Sequence, residues 1–295
     1  MDVSYKTVFV LDHGPYFAAK CVQPVDVGAA SKFEDSKISK SLWTCCVEVA
    51  LEYRRIMLDL FQRDTKFIRF VLSDSIGRFL TPDWGEDSNR LENIWFNIFE
   101  AGQPDPSVEE NCSIINGLSL AVEALIQSTK IQIEQKKNGV PVQNCGRIVV
   151  VTHLESSENM IDIHRHVGGL IGSHNKLANY LGDSFSPLNE VEMCFVNIRN
   201  EDSKSNNGSE FWKNESRKTM ISSILKSEFI ELYGGDDLNS AFYSLIQRHF
   251  DLTSTTISGV PMKEEKCLSS QSANYDIELL HPRDVHKNLA KRLCE

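Results

Sequence analysis

Three short segments place oxygen- and nitrogen-bearing side chains directly behind apolar runs. They are Asp12-His13-Gly14-Pro15-Tyr16 after Thr7 to Leu11, Ser73-Asp74-Ser75 after Phe67 to Leu72, and Thr152-His153 after Ile148 to Val151. Continuous apolar runs of this length read as strands covered on both faces. Open α/β sheets bind ligands just beyond the carboxyl ends of such strands. A carboxylate among hydroxyls suits a hard cation such as Mg²⁺, which asks for a near-octahedral shell of oxygens. An aspartate working with a histidine, here Asp74 and His153, would suit a hydrolase. Neither a G-x-S-x-G elbow nor a glycine-rich phosphate loop accompanies these groups. Capping the turn behind the second run is the simpler role for Asp74.

Other polar groups offer less chemistry. His164 and His166 lie in a segment, Asn159 to Leu181, whose pattern predicts a helix. Side chains two apart point about 200° from each other around a helix, so the pair cannot share one ion and reads as a solvated face. Gly168-Gly169 in the same segment reads as a point of close packing or a bend. Lys204, Lys213, Arg217 and Lys218 alternate with Glu201, Asp202, Glu210 and Glu215. That mixture reads as a solvated polyampholyte, with a contact to RNA or DNA through the four cations as the alternative.

The elements that must position these groups follow from periodicity. A fourth apolar run spans Met193 to Ile198. Leu42, Cys46, Val49, Tyr53, Ile56 and Leu60 make a helical stripe, with Ser39 or Ser41 placed to cap it. Ile115, Leu118, Val122 and Leu125 make a second stripe behind Asn111 or Ser113, and a further helix is predicted over Leu238 to Phe250. Strands alternating with helices imply right-handed crossovers and a doubly wound, mainly parallel α/β sheet. Residues 1–250 are assigned to that domain, with 199–218 as an exposed insertion rich in Ser and Asn. Residues 251–295 read as the start of a truncated β module, carrying strands near 254–257 and 275–279. Their apolar residues Ile257, Val260, Ile277 and Leu279 are expected to meet a partner.

Composition narrows the function classes. Of 295 residues, 41% are hydrophobic and 24% charged, as in ordinary globular proteins. Acids outnumber bases 41 to 31 for a net charge of -10, which excludes a chain-wide basic surface for nucleic acid. No apolar stretch approaches the roughly 20 residues of a membrane span, and Val8 to Leu11 is too brief for a secretory core. The eight cysteines show no C-x-x-C pair, and several sit inside apolar runs as reduced thiols do.

The first run, ending in Asp12 and a turn, resembles the opening of a von Willebrand factor A-type domain. In metal-binding members of that superfamily the motif is Asp-x-Ser-x-Ser, completed by a threonine ahead of a later helix and an aspartate behind the fourth strand. This chain keeps Asp12 but has Gly14 and Tyr16 at the serine positions, Cys112 or Ser113 near the threonine position and His153 at the aspartate position. A ring nitrogen suits Mg²⁺ poorly. The resemblance therefore implies a degenerate site at Asp12, Gly14, Tyr16, Ser113 and His153, with no metal and no cofactor. More specific stretches are similar to the Integrator complex subunit 13/Asunder family. These are Lys6 to His13 with Pro15-Tyr16, Ile38 to Cys45, Ser73 to Ser75, His174 to Ala178, His249 to Ile257, Pro261 to Glu265 and Ser272 to Leu280.

That resemblance implies a non-catalytic scaffold in a nuclear assembly that processes small nuclear RNA ends and regulates transcription. It implies Integrator subunits 14 and 10 as partners, with RNA or DNA touched as part of that module. It further implies dynein recruitment to the nuclear envelope, roles in mitosis and meiosis, and a cytoplasmic or perinuclear pool beside the nuclear one. No membrane and no small-molecule substrate is expected. Family members continue into a full barrel and a tail that engages the cleavage subunits, so a chain ending at Glu295 is expected to lack both. The competing expectation is a metal-dependent adhesion module that binds an acidic ligand through a cation on Asp12.

Overall fold

The residues from Lys6 to Leu11 in strand β1 (Tyr5–Asp12) are all buried, so the strand is covered on both faces. That cover is why its sequence is an unbroken apolar run rather than an alternation. The structure, a computed structural model, describes residues 5–21, 25–26, 37–61, 65–87, 89–107, 112–181, 186–199, 217–233, 237–263 and 272–285. After β1 come the short pair β2 (Val25–Asp26) and β3 (Lys37–Ile38), helix α1 (Leu42–Leu60), β4 (Lys66–Ser73), β5 (Gly77–Phe79) and α2 (Leu91–Ala101). Then follow α3 (Ile114–Ile126), α4 (Lys130–Lys137), β6 (Cys145–Thr152), α5 (Ser157–Leu181) and β7 (Glu190–Arg199). The last elements are β8 (Arg217–Met220), β9 (Leu225–Tyr233), α6 (Leu238–His249), β10 (Leu252–Lys263) and β11 (Ser272–Pro282).

The main sheet has seven strands in the order β5-β4-β1-β6-β7-β9-β8. Strands β4, β1, β6, β7 and β9 run parallel, while β5 and β8 close the two edges antiparallel. The doubly wound, mainly parallel sheet expected from the alternation is therefore present. Because β1 pairs with β4 on one side and β6 on the other, the winding reverses between β1 and β6. A crevice opens there, beyond the strands' carboxyl ends.

Helix α1 covers one face, where Tyr53 meets Phe9 edge-on at 4.9 Å. Helices α3 and α5 cover the other, where Leu118, Val122, Ile163 and Val167 pack with Val8, Val10, Ile148 and Val150. Ser41 and Ser113 cap α1 and α3 through the backbone N–H groups of Thr44 and Ile115. On the α3 face the strand starts bury two cations. Lys6 donates to the carbonyls of Leu125 and Gln127, and Arg69 donates to the carbonyls of Thr81 and Pro82 and to Gln127 Oε1. Both stand beside Trp84, 5.8 Å and 5.3 Å from its ring centre. Burial pulls the Lys6 ammonium down to about 7, while the exposed-like orphan carbonyls behind α3 gain donors.

Strand β9 and edge strands β5 and β8 lie outside the four apolar runs, as do helices α2 and α4. Strand β9 is half covered and sets Lys226, Glu228 and Glu231 among its apolar residues. Its sequence therefore lacks the unbroken run that marks β1. The expected insertion meets the sheet at both ends: Arg199 closes β7, and Arg217 and Lys218 open β8. Lys204 and Lys213 lie outside the described residues.

The chain divides into two compact units, Met1–Leu238 and Asn239–Glu295. In the second, β10 and β11 form a two-stranded antiparallel ribbon with Ile257 opposite Ile277 and Val260 opposite Tyr275. Three residues on one strand thus span two on the other. The extra residue is a bulge at Gly259, whose φ of 74 needs a glycine and whose N–H donates to Asp276 Oδ1 at 3.1 Å.

Glycines of two kinds give opposite predictions. A Cβ on Gly117 of α3 would sit 2.6 Å from Ser73 Cβ and 2.7 Å from Val10 Cγ1, whereas one on Gly169 of α5 would meet nothing within 4 Å. Gly117→Ala is expected to lower stability by about 1–3 kcal/mol, because overpacking outweighs the helix propensity gained. Gly169→Ala is expected to raise it by roughly 0.5–1 kcal/mol. Urea unfolding of both variants checks the signs. The open space at Gly168 and Gly169 also corrects the expectation of close packing there.

Candidate functional site

The crevice brings together the segments that follow β1, β4 and β6. Asp12 at its centre is half-buried, and both of its carboxylate oxygens already have donors. Gly14 N–H donates to Oδ1 at 2.9 Å and Thr152 Oγ1 to Oδ2 at 2.7 Å. The backbone N–H of His153 adds a further hydrogen bond. A Cβ on Gly14 would stand 3.0 Å from Asp12 Oδ1, so this tight turn favours a residue without one. Burial raises the Asp12 carboxyl to about 6, against the pull of Thr152, Gly14 and His153.

The remaining ligand positions are closed in different ways. Tyr16 lies flat on His153, ring centres 3.6 Å apart and planes 4° from parallel. His153 Nδ1 donates to the carbonyl of Ile198 at 2.7 Å, and burial lowers its pKa. Ser113 Oγ caps α3 by accepting from Ile115 N–H at 3.3 Å. Ser73 Oγ bridges the first turn of α3, donating to Ser113 O at 2.7 Å and accepting from Gly117 N–H at 2.8 Å.

A hard cation needs several free oxygens. Here the one carboxylate already accepts three hydrogen bonds from the protein, a stacked ring pair stands at two of the expected ligand positions, and the hydroxyl is committed to a helix cap. The residues present do not fit Mg²⁺. Among the described residues, no three side chains of the Asp, Glu, His and Cys types converge at Asp12.

Asp74 does not serve His153. Its Oδ1 accepts from Ile76 N–H at 3.0 Å in a side-chain-capped turn, and its Oδ2 pairs with Arg78 at 2.5 Å and faces His13 Nδ1 at 3.9 Å. His13 in turn hydrogen-bonds Gly102 O at 3.2 Å and meets Trp43 edge-on at 4.8 Å. These contacts stitch the loops together and commit Asp74 to its own turn, to Arg78 and to His13.

His164 and His166 diverge as the spacing required, but they are half-buried pins rather than a solvated face. His164 bonds Ser227 on β9 at 2.9 Å, and His166 bonds Ser119 on α3 at 2.8 Å. The contacts arise because both residues flank the inward stripe of Ile163 and Val167. Residue spacing also missed a thiol pair: the sulfurs of Cys21 and Cys45 stand 3.1 Å apart with no disulfide between them.

The four residues expected to meet a partner share one face of the ribbon. Ile257, Val260, Tyr275, Ile277 and Leu279 point the same way because the Gly259 bulge restores Val260 to the side of Ile257. Ile257 is 45% exposed and Leu279 46%. Arg217 and Lys218 stand opposite Phe229 and Glu228 in the β8–β9 pair, and Lys218 is exposed.

The family of cell cycle and development regulators named Mat89Bb matches this chain over residues 1–295. Integrator complex subunit 13 of Homo sapiens is 37% identical over 301 residues, an overlap of 98% of this chain and 41% of that protein. Protein asunder of Drosophila pseudoobscura pseudoobscura is 30% identical over 296 residues, covering 95% of this chain and 42% of its own length. The chain thus spans about two-fifths of these relatives. A von Willebrand factor type A structure from Catenulispora acidiphila superposes on 94% of this chain and 55% of its own, with 8% identity and a TM-score of 0.42.

Two measurements follow from Asp12. Between pH of about 4 and 6 its carboxyl stays protonated in the fold but is ionised in the unfolded chain, so the unfolded chain binds fewer protons. Stability is therefore expected to fall as pH rises through that window, by up to about 3 kcal/mol. In Asp12→Asn this part of the slope should vanish in urea unfolding at stepped pH. Calorimetry with MgCl₂ is expected to give no binding heat.

Proposed function

This chain belongs to the Mat89Bb family of cell cycle and development regulators and is a relative of Integrator complex subunit 13 and of Asunder proteins; from that premise we propose that it acts as a non-catalytic scaffold in the nuclear Integrator assembly. The observation that carries this reading is the ribbon of β10 and β11, with an apolar face of Ile257, Val260, Tyr275, Ile277 and Leu279 and a polar face of Thr256, Glu278 and Asp276. A two-stranded ribbon is marginal by itself in water. One apolar face and two unpaired backbone edges are what a partner's strands can complete.

The scaffold reading takes Integrator subunits 14 and 10 as the partners, with the ribbon as the start of a β-barrel module that they help to close. The doubly wound sheet offers a further surface for those partners, and the commitment of Asp12 to hydrogen bonds within the protein supports contact in place of turnover. Processing of small nuclear RNA and control of transcription would then depend on this chain through assembly. Progression through mitosis and meiosis, in keeping with the family's description, would depend on it in the same way, as would dynein recruitment at the nuclear envelope. No described helix is long and apolar enough to cross a membrane. RNA or DNA contact within the module would draw on Lys218, which is exposed on β8.

Co-expression with Integrator subunits 14 and 10 followed by size exclusion tests the reading. Co-elution is expected at micromolar concentration, and Ile257→Lys with Leu279→Glu should abolish it while leaving the thermal unfolding of the chain unchanged. Separate elution of the unaltered chain, or undiminished co-elution of the double variant, would count against it.

A further inference from the structure

We propose that helix α2 is a second docking face, built to take a basic amphipathic helix from a partner protein. The inner side of α2 is anchored: Ile94 and Ile98 are buried, and Asn97 Nδ2 donates to Leu80 O at 2.7 Å. Its outer side carries Leu91, Trp95 and Phe99 at spacing i, i+4 and i+8, with Phe96 beside them. These side chains are 41%, 48%, 86% and 66% exposed, in the order just named. Side chains pointing outward cannot belong to this chain's own core, and aromatic residues are the type that anchors protein contacts. With aromatic side chains burying roughly 150–250 Å² each, the exposed parts sum to about 500 Å² of apolar surface, in the range of functional patches.

Charge and area select the occupant. Between residues 83 and 107 the chain has Asp83, Glu86, Asp87, Glu92, Glu100 and Asp105 against Arg90. Arg54, Lys66 and Lys130 of neighbouring elements stand near the Leu91 end of the helix, so the excess of acid lies toward Glu92 and Glu100. All six acids are exposed, and Arg90 is itself paired with Asp87 at 2.9 Å. An acidic rim repels nucleic acid and anionic lipid. It also opposes a second copy, since a two-fold contact would set Glu92 and Glu100 against an equally acidic rim. The patch falls short of the roughly 800 Å² per partner of contacts between folded domains, but suits one helix laid against it. The complementary ligand has apolar anchors at i, i+3, i+4 and i+7 with Lys or Arg on either flank. This inference rests on the scaffold reading only in taking the chain to act by contact; its surface and its test are separate from the ribbon's.

The probe is a synthetic helical peptide of Leu and Lys in that pattern, with a Leu and Glu peptide of the same pattern as control. Anisotropy of the labelled peptides is measured with the chain and with variants whose melting temperature is unchanged. Saturable one-to-one binding of the Lys peptide is expected, with the Glu peptide at least tenfold weaker. Trp95→Ser with Phe99→Ser keeps the charge and should weaken the Lys peptide at least tenfold. Glu92→Lys with Glu100→Lys should invert the preference. The ribbon variant Ile257→Lys with Leu279→Glu should bind the peptide as the unaltered chain does, so that loss of co-elution and loss of peptide binding report on different surfaces. Equal binding by the aromatic variant would reduce the contact to bulk charge and overturn the proposal. Sedimentation showing a dimer that Trp95→Ser with Phe99→Ser dissolves would overturn it in favour of self-pairing.

Discussion

A carboxylate that already accepts three hydrogen bonds from its own protein is held in place by them. Asp12 stands at the point where the sheet's winding reverses, the place where such folds bind ligands. There it is held by Gly14 N–H, Thr152 Oγ1 and the backbone of His153. These bonds fix the turn after β1 to the end of β6, and the stack of Tyr16 on His153 covers the result. The same groups that would be rearranged to admit a metal are those that fix the crevice loops to one another.

Apart from the crevice, two outer surfaces stand out. Both break the usual rule that outward side chains are polar or singly apolar. The ribbon of β10 and β11 is amphipathic across its thickness, because strand alternation and the Gly259 bulge sort its residues onto two faces. Helix α2 is amphipathic in a different sense: its inner side is satisfied by Ile94 and Ile98, and its outer side sets Trp95, Phe96 and Phe99 among Glu92, Asn93 and Glu100. One surface offers backbone edges and the other aromatic rings, so they suit partners of different kinds. A rigid parallel sheet lets the crevice loops and α2 keep their geometry without a ligand.

Burial also explains why polar groups tie the framework together without chemistry. Arg147 holds Glu192 at 2.6 Å, and Tyr5 donates to the same carboxylate at 2.8 Å. His164 and His166 lock α5 to β9 and α3. Removing one member of such a pair leaves a buried polar group unsatisfied, which costs more than the bond itself contributes. Titratable side chains in this fold are therefore mostly joints.

The sequence by itself determined the doubly wound plan. Strands β1, β4, β6 and β7 are buried on both faces and so carry near-continuous apolar runs, broken in β4 by the buried Arg69, and the stripes of α1 and α3 follow from a helix with one inward side. It also determined that Gly14, Tyr16 and His153 bring neither a serine hydroxyl nor a carboxylate to the turn, since that depends on residue type alone. Strand β9 escaped because half-covered strands tolerate Lys226 and Glu228, and α2 escaped because its apolar arc is wider than the side the core buries, which leaves Trp95, Phe96 and Phe99 outside. The buried state of His164 and His166, the sulfur contact of Cys21 with Cys45 and the hydrogen bonds of Asp12 were decided only by tertiary structure. Each depends on groups far apart in the chain meeting across the sheet, and spacing along one segment carries no information about what a different segment brings to meet it.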